Sequence, residues 1–293
     1  MSEAGPLERC ARGDTPPNVA LMHLLHEASS PADAEAALDR ALARLSGVER
    51  ERVKAVRDLL RNAPAAWDTV KGVLGRMEHG GEAASAEAGV AAWAELFDGA
   101  AAAHPEGSVA LYALGDPKLL SAATAEIVEA LDAWGLLGPD RDVLDLGCGI
   151  GRVSAALGPR VRTVAGLDVA PAMIAAAEGR CAGIGNVRFL LGSGLDLRPF
   201  PDRSFDLVLA VDSFPYLVQA GGGLAERHVA DSARVLRPGG GLVILNYSYR
   251  GNDGLDRAEV SRFAAAHGFA VVRDGERPFR LWDGLAFQLR LIG

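Results

Sequence analysis

Apolar residues recur at helical spacing through roughly the first hundred residues. The segment Ser30–Asp33 begins a helix, with a serine at the N-cap, a proline at the first helical position and an acid in the first turn. The apolar pattern predicts helices from about Pro31 to Leu45, over 48–62 and over 65–78, and a later one that carries Val90, Trp93, Leu96 and Phe97. We therefore expect residues 1–114 to form an all-helical N-terminal domain.

From about residue 115 the pattern changes to short apolar runs separated by amphipathic stretches. The predicted strands are Asp142–Leu146, Val161–Leu167, Val187–Leu191, Phe205–Val211, Gly241–Tyr247 and Phe269–Arg273. Strands that alternate with helices indicate an α/β fold, in which helices cover both faces of a parallel sheet. A final run, Leu285–Ile292, follows through a loop that is too short for a crossover helix. We expect it to pair antiparallel, at or near a sheet edge.

Composition and charge narrow the function classes. The 293 residues contain 30 lysines and arginines against 38 aspartates and glutamates, a net charge of −8. Such a chain is a poor ligand for nucleic acid and for anionic membranes, so we expect neither as a partner. The cysteines are far apart, which argues against a disulfide framework and a zinc site, and we expect no metal. No apolar leader or membrane-length run is visible, so we expect a cytoplasmic protein.

The stretch DVLDLGCGIGRV, from Asp142 to Val153, places three glycines where the first strand ends. Glycine allows a tight turn and the close approach of a ligand, and ligands of open parallel sheets bind outside the carboxyl ends of the strands. Arg152 stands where a dinucleotide loop requires glycine or alanine, and the GxxxxGK pattern of a phosphate loop is absent. The carboxylate of Asp145, two residues before the first glycine, would repel a pyrophosphate and suits a ligand that carries an ammonium group.

The end of the second strand carries a second acid, Asp168. A carboxylate in this place accepts hydrogen bonds from both hydroxyls of a ribose, and it equally serves as the N-cap of the following helix. In that helix, Met173 is positioned to line one side of an adenine. The spacing therefore predicts a nucleoside ligand without a phosphate in the glycine loop.

These features resemble the class I S-adenosylmethionine-dependent methyltransferases over about residues 115–293. The resemblance is carried by Asp145–Gly151, Asp168, LLGSGLDLRPFPDRSFDLVLAVDSFPYL and RVLRPGGGLVIL, in that order. It implies a Rossmann-like, seven-stranded, mostly parallel sheet in the order 3-2-1-4-5-7-6 with strand 7 antiparallel. It also implies S-adenosyl-L-methionine as cofactor.

The resemblance assigns cofactor-binding roles residue by residue. Asp145 and the glycine loop hold the methionine portion, and Asp168 binds the ribose. The implied set is Asp145, Gly147, Cys148, Gly149, Gly151, Asp168, Val169, Met173, Ser193, Gly194, Leu195 and Asp212. One position departs from the family, because Ser193 stands where many relatives carry an aspartate that accepts from the adenine amino group.

Aromatic and polar residues that follow the later strands are the candidates for acceptor binding. The catalytic candidates are Tyr112, Tyr216, Tyr247 and His104, and the substrate-binding candidates are Phe214, Tyr216, Tyr247, Tyr249 and Arg250. In the resembled family the segment around Tyr112 covers the site. Tyrosine also favours half-buried loops generally, and Arg250 equally suits a solvated loop.

The resemblance implies methyl transfer to a small organic acceptor by in-line displacement, which is catalysed mainly by positioning. The NPPY or DPPY motif of enzymes that methylate amino groups on bases is absent, since Ser213 and Phe214 occupy its middle. Two alternatives stay open: an aminopropyltransferase on the same fold, and a non-catalytic regulatory or scaffold subunit that binds the cofactor. Residues 115–293 are expected to form the cofactor-binding core. Residues 1–114 are expected to cap the site or to form a homodimer.

Overall fold

The computed structural model describes residues 4–77, 85–103 and 105–293. The chain divides into two units. The described residues of a helical unit fall within Met1–His79, Ala103–Glu126 and Phe279–Asp283, and those of a sheet unit fall within Gly80–Ala102, Ile127–Pro278 and Gly284–Gly293.

The helices predicted from the apolar pattern are present, and the structure adds others that the pattern did not predict. They are α1 (Pro6–Arg12), α2 (Pro17–Glu27), α3 (Pro31–Arg44), α4 (Gly47–Asn62), α5 (Ala66–Met77), α6 (Ala86–Ala103), α7 (Pro105–Val109), α8 (Pro117–Ala133), α9 (Arg152–Leu157), α10 (Pro171–Arg180), α11 (Phe214–Ala220), α12 (Leu224–Val235) and α13 (Asp253–Ala266). Single turns of 3₁₀ helix cover Leu111–Ala113 and Gly158–Arg160.

The helical unit has an apolar core of its own. The predicted start of α3 is confirmed, because the Oγ of Ser30 accepts a hydrogen bond of 3.1 Å from the backbone N–H of Asp33. Buried residues from α1 to α5 form the core, among them Leu21, Leu25, Leu38, Val53, Val56 and Val70. These side chains lie one or two turns apart on each helix, which is the spacing that places them on one face.

The strands form one seven-stranded sheet in the order β3-β2-β1-β4-β5-β7-β6, as expected. They are β1 (Gly138–Leu146), β2 (Val161–Asp168), β3 (Val187–Leu191), β4 (Phe205–Val211), β5 (Leu236–Leu245), β6 (Phe269–Glu276) and β7 (Ala286–Leu291). The pairs from β3 through β5 are parallel, and β7 pairs antiparallel with β5 and β6. The carboxyl ends of β1, β2, β4 and β5 therefore meet at one edge of the sheet.

Two strands begin earlier than the apolar pattern predicts. β1 starts at Gly138 and β5 at Leu236, and the register shifts before each reaches its regular part. The first residues of both strands include exposed polar and glycine positions. An apolar pattern detects only the buried part of a strand, which explains the shorter predictions.

Helix α6 belongs to the sheet unit. Ala86 and Val90 of α6 form an apolar cluster with Ala220 and Leu224, and Val169, Leu195 and Leu217 pack against that cluster. Helix α6 therefore comes before residue 115 in the chain but packs against residues that come after it. The predicted division into a cap and a catalytic core concerns function and stays a prediction.

Within the described ranges, no helix has both the length and the apolar character that crossing a bilayer requires. The same residues contain no group of three His, Cys, Asp or Glu side chains arranged to hold a metal ion. Cys10, Cys148 and Cys181 are buried thiols.

Candidate active site

The glycine loop, residues 147–151, turns away from the end of β1 and lies against the end of β4. Gly147 has φ of 73°, and a Cβ at this position would lie 2.4 Å from the Cβ of Ser213. The Oγ of Ser213 in turn donates to the carbonyl oxygen of Leu146 at 2.7 Å. Only glycine accommodates both the left-handed backbone and this contact.

Asp145 is buried under the loop at the end of β1, where it is 1% exposed. The Oγ of Ser154 donates to Asp145 Oδ2 at 2.6 Å. Burial raises the pKa of Asp145 to about 6, although the hydrogen bond from Ser154 and the charge of Arg152 favour the ionised form. A ligand cation that reached this carboxylate would favour the ionised form further.

Asp168 connects the end of β2 to the glycine loop. Its Oδ2 accepts from the backbone N–H of Gly149 at 2.8 Å, and its Oδ1 accepts from that of Ala170 at 3.0 Å. Burial raises the pKa of this carboxyl, against the effect of these backbone hydrogen bonds. A carboxylate has about four lone-pair sites, so two neighbouring hydroxyls can still donate to it.

The residues assigned to the adenine lie around the end of β3 and the start of α10. Ser193 Oγ accepts from the backbone N–H of Leu195 at 3.2 Å and so stabilises its own turn. A Cβ at Gly194 would lie 2.6 Å from Val169 and equally close to Val90 of α6. Met173 is buried in α10, and the Oδ1 of Asp98 in α6 accepts from the N–H of Ala172 at 2.7 Å. Helix α6 therefore contacts the predicted adenine region directly.

A hydrogen-bonded chain of polar side chains follows β4 and β5. Asp212 Oδ1 accepts from Asn246 Nδ2 at 2.7 Å and from the hydroxyl of Tyr249 at 2.8 Å. The hydroxyls of Tyr249 and Tyr216 are 3.3 Å apart. Desolvation of the hydroxyls and the charge of Asp212 raise the pKa of both tyrosines, so each hydroxyl is protonated at neutral pH. The Tyr249 side chain as a whole is 46% exposed.

Two aromatic residues of the site were not assigned a site role from the sequence. The rings of Trp93 and Phe97 in α6 each meet the ring of Tyr216 edge-on, with centroids 4.9 Å apart. The ring of Tyr249 meets Tyr216 from another direction at 5.8 Å. In the sequence, Trp93 and Phe97 are four residues apart on an alanine-rich helix. This spacing places them on one face of the helix but does not show which residues that face contacts.

Tyr247 and Arg250, two further candidates, contact other residues. Tyr247 is buried in the core between Phe214 and Phe287, and its hydroxyl donates to Glu259 at 3.3 Å. Arg250 pairs with both Asp256 and Glu259, at 2.6 and 2.5 Å. As a ligand for a substrate carboxylate, Arg250 would have to leave both acids.

Tyr112 and His104 are the two candidates from the N-terminal part of the chain. Tyr112 is part of the helical unit, where its ring stacks on Trp282 with centroids 5.5 Å apart. His104 lies outside the described residues. Their suggested roles stay predictions.

The donor set at this edge suits a nucleoside that carries a cationic group. Asp145 offers a buried carboxylate beside the glycine loop, and Asp168 offers a carboxylate with lone pairs to spare. Asp145 precedes the glycine loop in the chain, and Asp168 contacts the loop through the N–H of Gly149. The residues therefore fit the cofactor implied by the sequence resemblance.

A known protein family matches the segment of the chain that contains this site. A family model described as a methyltransferase domain matches residues 144–244, which run from β1 to the end of β5. This range includes the glycine loop, Asp168 and Asp212.

Curated relatives match part of the chain. A demethylmenaquinone methyltransferase of Tropheryma whipplei (strain Twist) is 38% identical over 108 residues, which are 37% of this chain and 42% of the relative. One of Clavibacter sepedonicus is 31% identical over 153 residues, which are 52% of this chain and 57% of the relative. The chain thus spans about half the length of the curated relatives it matches.

A solved structure supports the fold. Phosphoethanolamine N-methyltransferase 1 of Haemonchus contortus, in complex with phosphoethanolamine and S-adenosylhomocysteine, superposes with a TM-score of 0.56 at 18% identity. The match covers 71% of this chain and 50% of that chain. At this identity the similarity concerns the arrangement of the elements and not the ligands.

Proposed function

We propose that the chain methylates a small organic acceptor. This proposal proceeds from its membership of the class I S-adenosylmethionine-dependent methyltransferase family. When bound, S-adenosyl-L-methionine supplies an electrophilic methyl group on a sulfonium whose leaving group is a neutral thioether. The observation that carries the proposal is the hydrogen bond between Asp168 and Gly149, because it joins the ribose-binding acid to the glycine loop.

The residues of the loop have distinct roles in this proposal. Asp145 holds the amino group of the cofactor, and the backbone of Gly147–Gly151 lies along its methionine portion. Asp168 accepts from the ribose hydroxyls, and Ser193 together with the backbone of Gly194 and Leu195 borders the adenine. Each role is supported by a carboxylate, hydroxyl or backbone group at the carboxyl edge of the sheet.

Catalysis on this proposal is mainly positioning. Holding a nucleophile about 3 Å from the methyl carbon and in line with the breaking bond supplies roughly 7–11 kcal/mol. Phe214 is fully buried in the core, whereas Tyr216 follows Asp212 and Ser213 in α11, and Trp93 and Phe97 pack on its ring. Aromatic side chains in this place would hold an acceptor and exclude water.

Calorimetry with S-adenosyl-L-methionine and S-adenosylhomocysteine tests the proposal on the full chain. We expect binding of both, and the absence of measurable binding would defeat the proposal. Turnover is then measured as S-adenosylhomocysteine released with a panel of acceptors. Release of methylthioadenosine from the decarboxylated cofactor would instead identify an aminopropyltransferase, and binding without turnover on any acceptor would identify a regulatory subunit.

The acceptor panel begins with aromatic hydroxyl compounds. Two relatives are named demethylmenaquinone methyltransferases, which makes 1,4-dihydroxynaphthalene a suitable soluble probe. We further propose that the helical unit closes over the site or forms a homodimer. Light scattering on the full chain tests the second role, because a monomer at micromolar concentration excludes it.

A further inference from the structure

Two residues at the sheet edge hold a backbone conformation that side chains seldom adopt. Asp212 follows β4 with φ of 58°, and Asn246 follows β5 with φ of 66°. Aspartate and asparagine tolerate this left-handed region better than other residues, at a cost of order 1–3 kcal/mol. The hydrogen bond of 2.7 Å between their side chains joins the two strand ends. Such conformations persist where surrounding structure imposes them, and they are enriched at active sites.

The direction of the hydrogen bonds beyond this pair follows from counting protons. The hydroxyl of Tyr249 has one proton, and it donates that proton to Asp212 Oδ1. The oxygen of Tyr249 therefore accepts in the contact with Tyr216, and Tyr216 donates. This contact of 3.3 Å is long for an O–H···O bond, whereas the bond from Tyr249 to Asp212 has ordinary length. A ligand hydroxyl can replace Tyr216 as donor at little cost.

The chain of polar groups lies beside the predicted cofactor loop. Asp212 is followed by Ser213, which lies against Gly147. Tyr216 is one turn further along α11 and is enclosed by Trp93 and Phe97. Tyr249 is 46% exposed, so a ligand hydroxyl can approach it from solvent beside the ring of Tyr216.

We propose that Tyr249 and Asp212 form a proton relay, and that the acceptor is an aromatic or enolic hydroxyl compound. This inference rests on the proposed methyltransferase function. As the nucleophile attacks, the acceptor hydroxyl gives its proton to the oxygen of Tyr249, and Tyr249 gives its own proton to Asp212 Oδ1. The new bond to the methyl carbon forms while the carbon–sulfur bond breaks, and that electron pair stays on sulfur. The acceptor ends methylated on oxygen or on the conjugated carbon, and Asp212 ends as a carboxylic acid.

The chemistry of the site favours a hydroxyl over other acceptors. A hydroxyl must lose its proton to become a strong nucleophile, whereas a neutral amine already has a free electron pair and needs no relay for its attack. A carboxylate acceptor would be repelled by Asp212. The aromatic rings of Trp93, Phe97 and Tyr216 suit a flat, apolar body behind the reacting hydroxyl.

The test compares Tyr249→Phe and Asp212→Asn with the unmodified chain. Phenylalanine keeps the ring and removes only the relaying hydroxyl, and asparagine tolerates the left-handed backbone of position 212. Thr163→Val is the matched control, because Thr163 also donates a hydroxyl to a carboxylate, that of Asp142 in β1. The acceptors are 1,4-dihydroxynaphthalene under anaerobic conditions and the matched pair 1-naphthol and 1-naphthylamine.

We expect methylation of the hydroxyl compounds and a fall in kcat of roughly 10²-fold in Tyr249→Phe and Asp212→Asn, within the range of general-base catalysis. The Kd for S-adenosyl-L-methionine should change less than about threefold in Tyr249→Phe, and Thr163→Val should retain kcat.

Three results would overturn the relay: equal kcat in Tyr249→Phe, methylation of 1-naphthylamine alone, or no turnover of any hydroxyl probe by a chain that binds the cofactor. Failure of the unmodified chain to bind S-adenosyl-L-methionine is a different result, since it overturns the proposed function itself and the relay with it.

Discussion

Each carboxylate oxygen of Asp168 accepts from a backbone N–H, and this determines what a substitution does. In Asp168→Asn, one terminal atom becomes an NH₂ group that must face either Gly149 N–H or Ala170 N–H, which are both donors. Losing a hydrogen bond to a charged group costs about 1.5–3 kcal/mol. We expect the Kd for S-adenosyl-L-methionine to rise at least 10-fold by calorimetry.

Asp206→Asn is the control for this prediction. Asp206 also accepts from a backbone N–H, that of Asp142 at 2.8 Å, and the same oxygen pairs with Arg237, so asparagine removes a charge-assisted contact at the start of β4. Its melting temperature should fall while its Kd stays within about twofold of the unmodified chain. An equal loss of affinity in both variants would show that Asp168 acts only through stability.

Asp145 makes cofactor affinity dependent on pH. Its pKa is raised from 3.8 to about 6 by burial, so below pH 6 it is mostly neutral and offers no charge to an ammonium group. Affinity should fall by up to about 10-fold per pH unit below this value, and the fall should be shallower in Asp145→Asn. For folding the sign is opposite, because a raised carboxyl pKa makes this group's contribution to stability decrease as pH rises from about 4 to about 6. Protonation of Asp145 at pH 5.5 therefore weakens cofactor binding but does not destabilise the fold.

Site residues could be predicted where their role depends on local sequence, and could not where it depends on contacts between distant residues. Asp145, Asp168 and the loop glycines were predicted because strand ends and glycine spacing are local properties of the sequence. The hydrogen bond between Asp212 and Asn246 joins residues that are 34 positions apart, at the ends of two different strands. Local propensity contains no information on this contact.

At the scale of elements, the glycine loop and the start of α11 are fitted to each other. Gly147→Ala places a methyl group 2.4 Å from the Cβ of Ser213 in a left-handed backbone. The backbone alone costs about 1–2 kcal/mol, and the clash adds to it. We expect a lower melting temperature and a weaker Kd for S-adenosyl-L-methionine.

The double variant Gly147→Ala with Ser213→Gly separates the two costs. Removing the Cβ of Ser213 relieves the clash but leaves the backbone strain, so the loss caused by Gly147→Ala should be smaller in a Ser213→Gly background. Additive losses in the double variant would contradict direct contact between the two positions.

Elements differ in how far the sequence predicts their neighbours. β7 was expected to be antiparallel because its connection to β6 is too short for a crossover, and the sheet confirms this. The apolar pattern also predicts α6 as a helix. Its packing on Val169, Leu195 and Tyr216 depends on contacts at least 66 residues away in sequence, which a periodic pattern cannot specify.

At the scale of the whole molecule, the two units interleave along the chain. The sheet unit takes α6 from the N-terminal part, and the helical unit takes Phe279–Asp283 from the loop between β6 and β7. In the helical unit, Asn18 Nδ2 donates to the carbonyl oxygen of Leu281 at 2.8 Å, and Glu126 pairs with Arg280. A cut between residues 114 and 115 would separate residues of both units from their partners, so experiments belong on the full chain.

Hydrogen exchange on the full chain tests where the cofactor binds. A ligand that binds only the folded state adds roughly 2.7 kcal/mol of protection at 100 times its Kd, and the gain is greatest for amides that open locally near the ligand. With S-adenosyl-L-methionine present, we expect slower exchange in the loop 147–151, at 168–170, at 193–195 and through α6. The helices α3 and α4 serve as the internal control, because they pack within the core of the helical unit and bear none of the predicted cofactor residues. Protection confined to α3 and α4 would contradict the assignment of the cofactor to the sheet edge, and unchanged exchange in α6 would contradict its place over the adenine region.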